Sequence, residues 1–321
     1  MHRVAGKNFY SAPPVYKGWI TPRDILISMK LSFCAIGAIL PGRYWKSFSK
    51  RLAVMQSGVQ SPRFTRFSAL FEEYFGMKPE QLELQALAAN FEENIEAIRD
   101  LMPGGWHPPM RLDGRECLDR ALQQRRGIIL WVGDFQHSDV VTKKAIATAH
   151  YELTNLSEIG HPYSTSRFGA WVLNSIRTIV ENAYLKRRLI VVHSNTQPAI
   201  EALLAALRRS EMIGITAVEA GNKPLSIPMF GTTFPLAAGA PSLALRTGSA
   251  LIPVFTVPDE QGGYVVHMGP DISEGASADA GPVRLMALRY AALLEGHVIR
   301  FPALWKRWFS EDWIPSKPGP E

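Results

Sequence analysis

From residue 111 onward the chain alternates short apolar runs, rich in β-branched and aromatic residues, with segments of helical period. Such runs are too short for helices. Strands separated by helices close a core as a parallel or mixed sheet covered on its faces. The runs are Gly127–Val132, Leu189–His193, Met212–Ala217, Ala250–Val257 and Tyr264–Met268, and helical segments fall at 139–149, 167–183, 197–209 and 239–247. The expected fold is α/β, a mixed, mostly parallel sheet flanked by helices.

The first third reads differently. Residues 1–22, with Pro13, Pro14 and Pro22, are expected to form an irregular arm, and 23–110 a helical N-terminal region packed on the core. Its clearest helix is Pro79 to Met102, with proline near the start, early acids and apolar residues at helical spacing. A second is Phe64 to Phe75. Residues 25–40, ILISMKLSFCAIGAIL, are the most apolar stretch, but Lys30 interrupts them and they fall short of the roughly 20 residues a span needs. Flanked by Arg23, Arg43, Lys46, Lys50 and Arg51, they suit a helix lying in a membrane interface or one covering the core. The α/β region extends over 111–310, its final segment, 283–309, again helical, and 311–321 is a loose tail.

The net charge of +6 favours anionic partners: an anionic membrane surface, an acidic carrier protein or nucleic acid. The basic residues are not interleaved with aromatics as in a nucleic-acid module, so no nucleic-acid partner is expected. Cys34 and Cys117 have no CxxC spacing, which argues against a disulfide framework or a cysteine metal site and for a reducing cytoplasm. No metal and no cofactor are expected.

Gly127 to Asp139, GIILWVGDFQHSD, concentrates the chemistry. A buried strand ends at Gly133, and Asp134, Gln136, His137, Ser138 and Asp139 follow before a helix. Strand, glycine turn and helix start place polar side chains at the C-terminal edge of a sheet, where α/β proteins bind and react. Carboxylates and an imidazole there could be a general base with its orienting partner, or could simply cap the following helix. Weaker candidates for the substrate pocket are Arg167, Glu219 in VEAGNK, and Gly231 and Thr232 in SIPMFGTTFPLAAGAPSLALRTGSALIPVFTV (226–257). Each has a plainer reading: solvated arginine, turn residue, tight helix–sheet packing. His193 and Ser194 end another strand near the same edge, or are a satisfied strand end, and Arg167 and Arg187–Arg188 could bind phosphate or be merely solvated. P-loop, GxGxxG, GxSxG and HExxH patterns are absent.

Taken in order, GIILWVG, the polar turn near 219, MFGTTFPLAAGAPSLALRTGSALIPVF and LLEGHVIRFPALWKRW resemble the lipid A late acyltransferases, bacterial lauroyl and myristoyl transferases of the glycerolipid acyltransferase superfamily. The resemblance covers nearly the whole chain. It implies acyl transfer from a thioester of acyl carrier protein or coenzyme A, as co-substrate, to a lipid or small-molecule acceptor. It also implies a cytoplasmic protein, either seated peripherally on the inner face of the cytoplasmic membrane or soluble beside it. The family motif is a histidine, four residues, then an acid, commonly HFGNWE. Here the stretch is DFQHSD: Asp139 matches the acid and Asp134 takes the histidine's place. Three readings stay open. His137 is the base, its tautomer fixed by Asp134 or Asp139; or Asp134 is the base, with burial raising its pKa; or the chain binds an acyl chain or carrier protein without catalysis. The altered motif implies an altered acceptor, a hydroxyl or an amine of a specialised pathway.

Overall fold

The computed structural model describes residues 8–11, 15–57, 67–158, 161, 163–192, 194–217, 224–276 and 281–309. Among the described residues ten strands form two sheets. They are β1 (Asn8–Tyr10), β2 (Met110–Asp113), β3 (Ile128–Gly133), β4 (Leu153–Glu158), β5 (Arg187–Val191), β6 (Met212–Ala217), β7 (Pro224–Met229), β8 (Thr232–Ala237), β9 (Ala250–Pro258) and β10 (Tyr264–Met268). The main sheet has the order β1-β5-β4-β6-β3-β9-β10-β2, and β7 pairs with β8 in a separate hairpin. Every neighbouring pair in the main sheet is parallel except β9–β10. The expected mixed, mostly parallel sheet is the one found.

The centre of that sheet is fully covered, as the continuous apolar runs of β3 and β9 require. Their period of two sends Ile129, Trp131, Leu251 and Phe255 to one core, and Ile128, Leu130, Val132, Ile252 and Val254 to the other. The first core lies under helices α8 (Gln197–Arg208), α9 (Gly239–Thr247), α10 (Pro282–Arg300) and the β7–β8 hairpin; Trp131 stacks on Tyr290 at 4.0 Å between ring centroids. The second lies under α6 (Ser138–Thr148) and α7 (Asn174–Ala183), with the N-terminal helices α1 (Pro22–Ile39), α2 (Trp45–Ser57) and α4 (Pro79–Leu101). α1 and α2 both pack on α4. The remaining helices are α3 (Ser68–Phe75) and α5 (Arg115–Gln123).

Some elements differ from the sequence expectation. Asn8–Tyr10, within the stretch read as an irregular arm, adds a parallel edge strand to β5. The helix expected at 239–247 is α9, and residues 232–237, given no element in the sequence, form a strand before it, with Thr232, Phe234 and Leu236 alternating into the core. The final helix stops at Arg300, before Pro302 can enter it, and continues as short 3-10 turns through Phe309. Glu219 and His193 lie outside the described residues.

Gly127 shows how tightly the central strand is seated. A Cβ there would fall 2.5 Å from the Leu207 carbonyl oxygen and 2.6 Å from Ser249 Oγ. Gly127→Ala is expected to cost about 2–3 kcal/mol, read as a lower urea midpoint with unchanged slope.

Candidate functional site

The turn after β3 is held from both ends. Gly133 lets Phe255 approach to within 2.7 Å of where a Cβ would be, and Phe135 turns into the core. The segment after α10 closes beneath it: Phe135 bridges Trp305, the Gln136 N–H donates to the Leu304 carbonyl at 2.6 Å, and the Lys306 N–H to the Asp134 carbonyl at 2.9 Å. His137 then takes a left-handed φ of 70°, and α6 begins at Ser138. These few residues point in two opposite directions.

Asp134 and Asp139 face a cleft of about 960 Å³ whose apolar side includes Trp131, Leu156, Ile200 and Ile215. Asp139 sits in the first turn of α6, where the helix dipole favours an anion. Lys306 Nζ lies 2.7 Å from Asp139 Oδ2, 3.0 Å from Glu93 Oε1 and 4.0 Å from Asp134 Oδ1. Arg177 joins the same carboxylates, 3.3 Å from Asp139 and 3.2 Å from Glu93. Glu93 Oε1 also accepts the His137 backbone N–H at 3.0 Å.

This network pushes the carboxyls apart. Burial would raise Asp139, but Lys306, His161 and Lys143 hold it well below the usual carboxylate range. Glu93 is likewise lowered: burial opposes, and Arg177 and Lys306 prevail. Asp134 goes the other way. Burial pushes it up to about 6, with Asp139 and Glu93 adding to the rise and Lys306 opposing it. Its side chain keeps 28% of its surface, turned to the cleft. Two carboxylates are thus held low beside one that is raised, a spread of the kind acid–base chemistry uses. Lys30 of α1 lines the same cleft, its ammonium lowered to about 8 by burial.

His137 turns away. Its Nδ1 is 2.7 Å from Glu96 Oε2 and 3.2 Å from the Tyr264 hydroxyl, which donates to the other Glu96 oxygen. The imidazole lines a second cavity, across α4 from the cleft. Burial alone would lower the imidazole; Glu96, with Glu92 and Glu93, raises it instead. Neither Asp134 nor Asp139 contacts the ring; Glu96 does what those two were expected to do.

The weaker candidates are elsewhere. Arg167 lies over Trp19 and Tyr16, 5.0 and 5.9 Å from the ring centroids, outside the cleft. Gly231 lies in the turn of the β7–β8 hairpin and Thr232 begins its return strand; the tip is anchored by the Phe230 N–H donating to Glu295 at 2.7 Å. Gly231 has φ 61°, and a Cβ there would meet Tyr74 Oη at 2.7 Å, so its smallness serves packing. Arg188 is buried against Glu181 at 2.6 Å, and Arg187 is 3.9 Å from Glu211. Sequence reasoning missed Glu93, Glu96, Arg177 and Lys306. The legible sign was Asn90, Glu93 and Asn94 at helical spacing, a polar stripe on a helix whose neighbours are core. Lys306 gave a fainter one, a lysine between Trp305 and Trp308.

A sequence model of a family described as bacterial lipid A biosynthesis acyltransferase matches residues 17–314. Among curated proteins no match is found.

Lys306 neutralises two buried anions, so Lys306→Met is expected to cost about 3 kcal/mol at pH 7. Asp139 and Glu93 are depressed in the folded state, so their pairing stabilises above the unfolded carboxylate range and is lost as pH falls. Denaturant titrations of variant and parent should therefore differ at pH 7, with the gap beginning to narrow only below about pH 4 and closing further down, as pH approaches the depressed folded values.

Proposed function

Because this chain belongs to the bacterial lipid A biosynthesis acyltransferase family, we propose that it transfers an acyl group from a thioester, on acyl carrier protein or coenzyme A, to a hydroxyl or amine, with Asp134 as the general base. One observation carries the choice of base. Asp134 stands where the family pattern has histidine, opens on the cleft, and is raised to about 6, near the ordinary imidazole value of about 6.5. Burial thus supplies the basicity that the missing histidine would have had. The separation of Asp134 and His137 into different cavities supports Asp134 over His137.

In this reading Asp134 accepts the proton of the acceptor's O–H or N–H as that atom attacks the thioester carbonyl. The C–S bond breaks, the proton passes to the departing sulfur, and the products are an ester or amide and a free thiol. Asp139 stays ionised against Lys306 and Arg177 and keeps Lys306 beside Asp134. The acyl chain lies along Ile200, Ile215 and Leu156, and the exposed Arg23 at the cleft's edge favours an anionic donor or acceptor.

α1 gives a reason to place the reaction at a membrane surface. Its inner face lines the cleft through Ile27, Lys30 and Leu31, while Ile25, Leu26, Met29, Phe33 and Ile36 form an outer apolar stripe, each 42–68% exposed. Among the described residues no helix is long and apolar enough to cross a membrane. A helix of this kind, with basic residues about it, lies in the interface plane.

The test is a thiol-release assay with acyl carrier protein and coenzyme A thioesters and a panel of hydroxyl and amine acceptors, products identified by mass spectrometry. Asp134→Asn is expected to lose at least about 100-fold in kcat/KM, and Asp134→His to retain more than Asp134→Asn. Since the base acts deprotonated, kcat/KM should rise with pH through about 6 and level off above it. Full activity in Asp134→Asn would refute the assignment, and binding of acyl carrier protein with no turnover on any acceptor would favour a non-catalytic role. Separately, the protein should co-sediment with anionic vesicles in a salt-sensitive manner, and the double variant Leu26→Glu/Met29→Glu should remain in the supernatant.

A further inference from the structure

The second cavity, about 990 Å³, takes no part in acyl transfer at Asp134, and the features that suit it to a ligand are independent of that reaction. Its floor is the set Glu96, His137 and Tyr264. Both Glu96 oxygens are engaged, one by His137 Nδ1 and the other by the Tyr264 hydroxyl. His137 is thereby fixed with Nδ1 committed and Nε2 as its remaining polar atom, and the surrounding carboxylates favour its cationic form.

The rim carries Arg43, Lys46, Lys50 and Arg99. Lys46 and Lys50 lie one turn apart on α2 and are exposed; neither forms a salt bridge among the described residues, though both act on the Glu92 carboxylate of α4. Against these cations the lining sets two carboxylates, Glu92 and Glu96, and Glu96 is already taken up by the floor. The walls between floor and rim are apolar, built from Leu40, Trp45, Met102 and Trp106. Ile39, also in the lining and 72% exposed, joins the mouth to the apolar stripe of α1. A basic rim over apolar walls, opening beside an apolar surface, matches a molecule with a multiply charged anionic head and a hydrocarbon tail.

We propose that this cavity binds an amphiphile with a phosphate head, the head held by Lys46 and Lys50 and the tail along Trp45, Met102 and Leu40. Phosphate is favoured over a carboxylate because several cations converge on one opening, where a dianion gains most.

Isothermal titration of the full chain tests this with three probes below their micelle concentrations: dodecyl phosphate, inorganic phosphate and dodecyltrimethylammonium. Dodecyl phosphate is expected to bind at least about tenfold more tightly than either of the others, needing both head and tail. Lys46→Glu/Lys50→Glu, two surface reversals, should weaken it about tenfold, and Ala88→Trp, which fills the cavity from α4, should remove the same binding event. Ile200→Trp, which obstructs the other cleft, should leave that event intact. The proposal is overturned if the lysine reversals change nothing, if Ile200→Trp abolishes the binding, or if inorganic phosphate or the ammonium amphiphile binds as well as dodecyl phosphate.

Discussion

Everything around the turn depends on one ammonium group. Lys306 Nζ satisfies Asp139 and Glu93 at once and stands at the edge of Asp134, while its own backbone N–H fixes the Asp134 carbonyl. A buried carboxylate pair without such a cation would be strongly unfavourable, and a buried lysine without the carboxylates equally so. Each therefore requires the other. The residue lies some 170 positions along the chain from the turn it supports, so the fold must be complete, through α10 and past it, before the turn has its charge balance.

The second organising element is α4, which acts as a partition. Glu93 and Glu96, less than one helical turn apart, serve opposite sides: Glu93 joins Lys306 and Arg177 at the cleft, and Glu96 holds His137 in the second cavity. His137 links the two, its backbone N–H bound to Glu93 and its ring to Glu96. The N-terminal helical region is thus more than a cover for the sheet. It contributes the carboxylates that define both chambers.

How far the sequence discloses this varies with the physics. The sheet was legible because parallel strands buried on both faces must be unbroken apolar runs, and β3, β6 and β9 are such runs. β4, LTNLSE, was not, because it carries polar Thr154 and Asn155 into the fold, where Asn155 Nδ2 donates to the Leu156 carbonyl at 2.9 Å, and pattern alone reads such residues as exposed. The turn at 133–139 was legible as a place, since glycine after a buried strand and before a helix has few other meanings. Its division was not. Whether a side chain faces one cavity or another is set by a single left-handed residue, and partners such as Lys306 and Glu96 arrive from distant segments. Gly231 read as a pocket residue because a small residue near a turn admits either a ligand or a neighbour; here the neighbour is Tyr74.

The left-handed backbone at His137 also bears on how such a turn could have diverged. Apart from glycine, that conformation is populated mainly by asparagine, aspartate and histidine. The family pattern HFGNWE has asparagine at the corresponding place, so an exchange to histidine there needs no rebuilding of the main chain. Paired with the change from histidine to Asp134, it shifts the imidazole by three positions and, through the bend, from one chamber to the other. Under the proposed mechanism, the position aligned with the family histidine then holds a carboxylate, Asp134, on the cleft, while the imidazole of His137 lies in the other chamber.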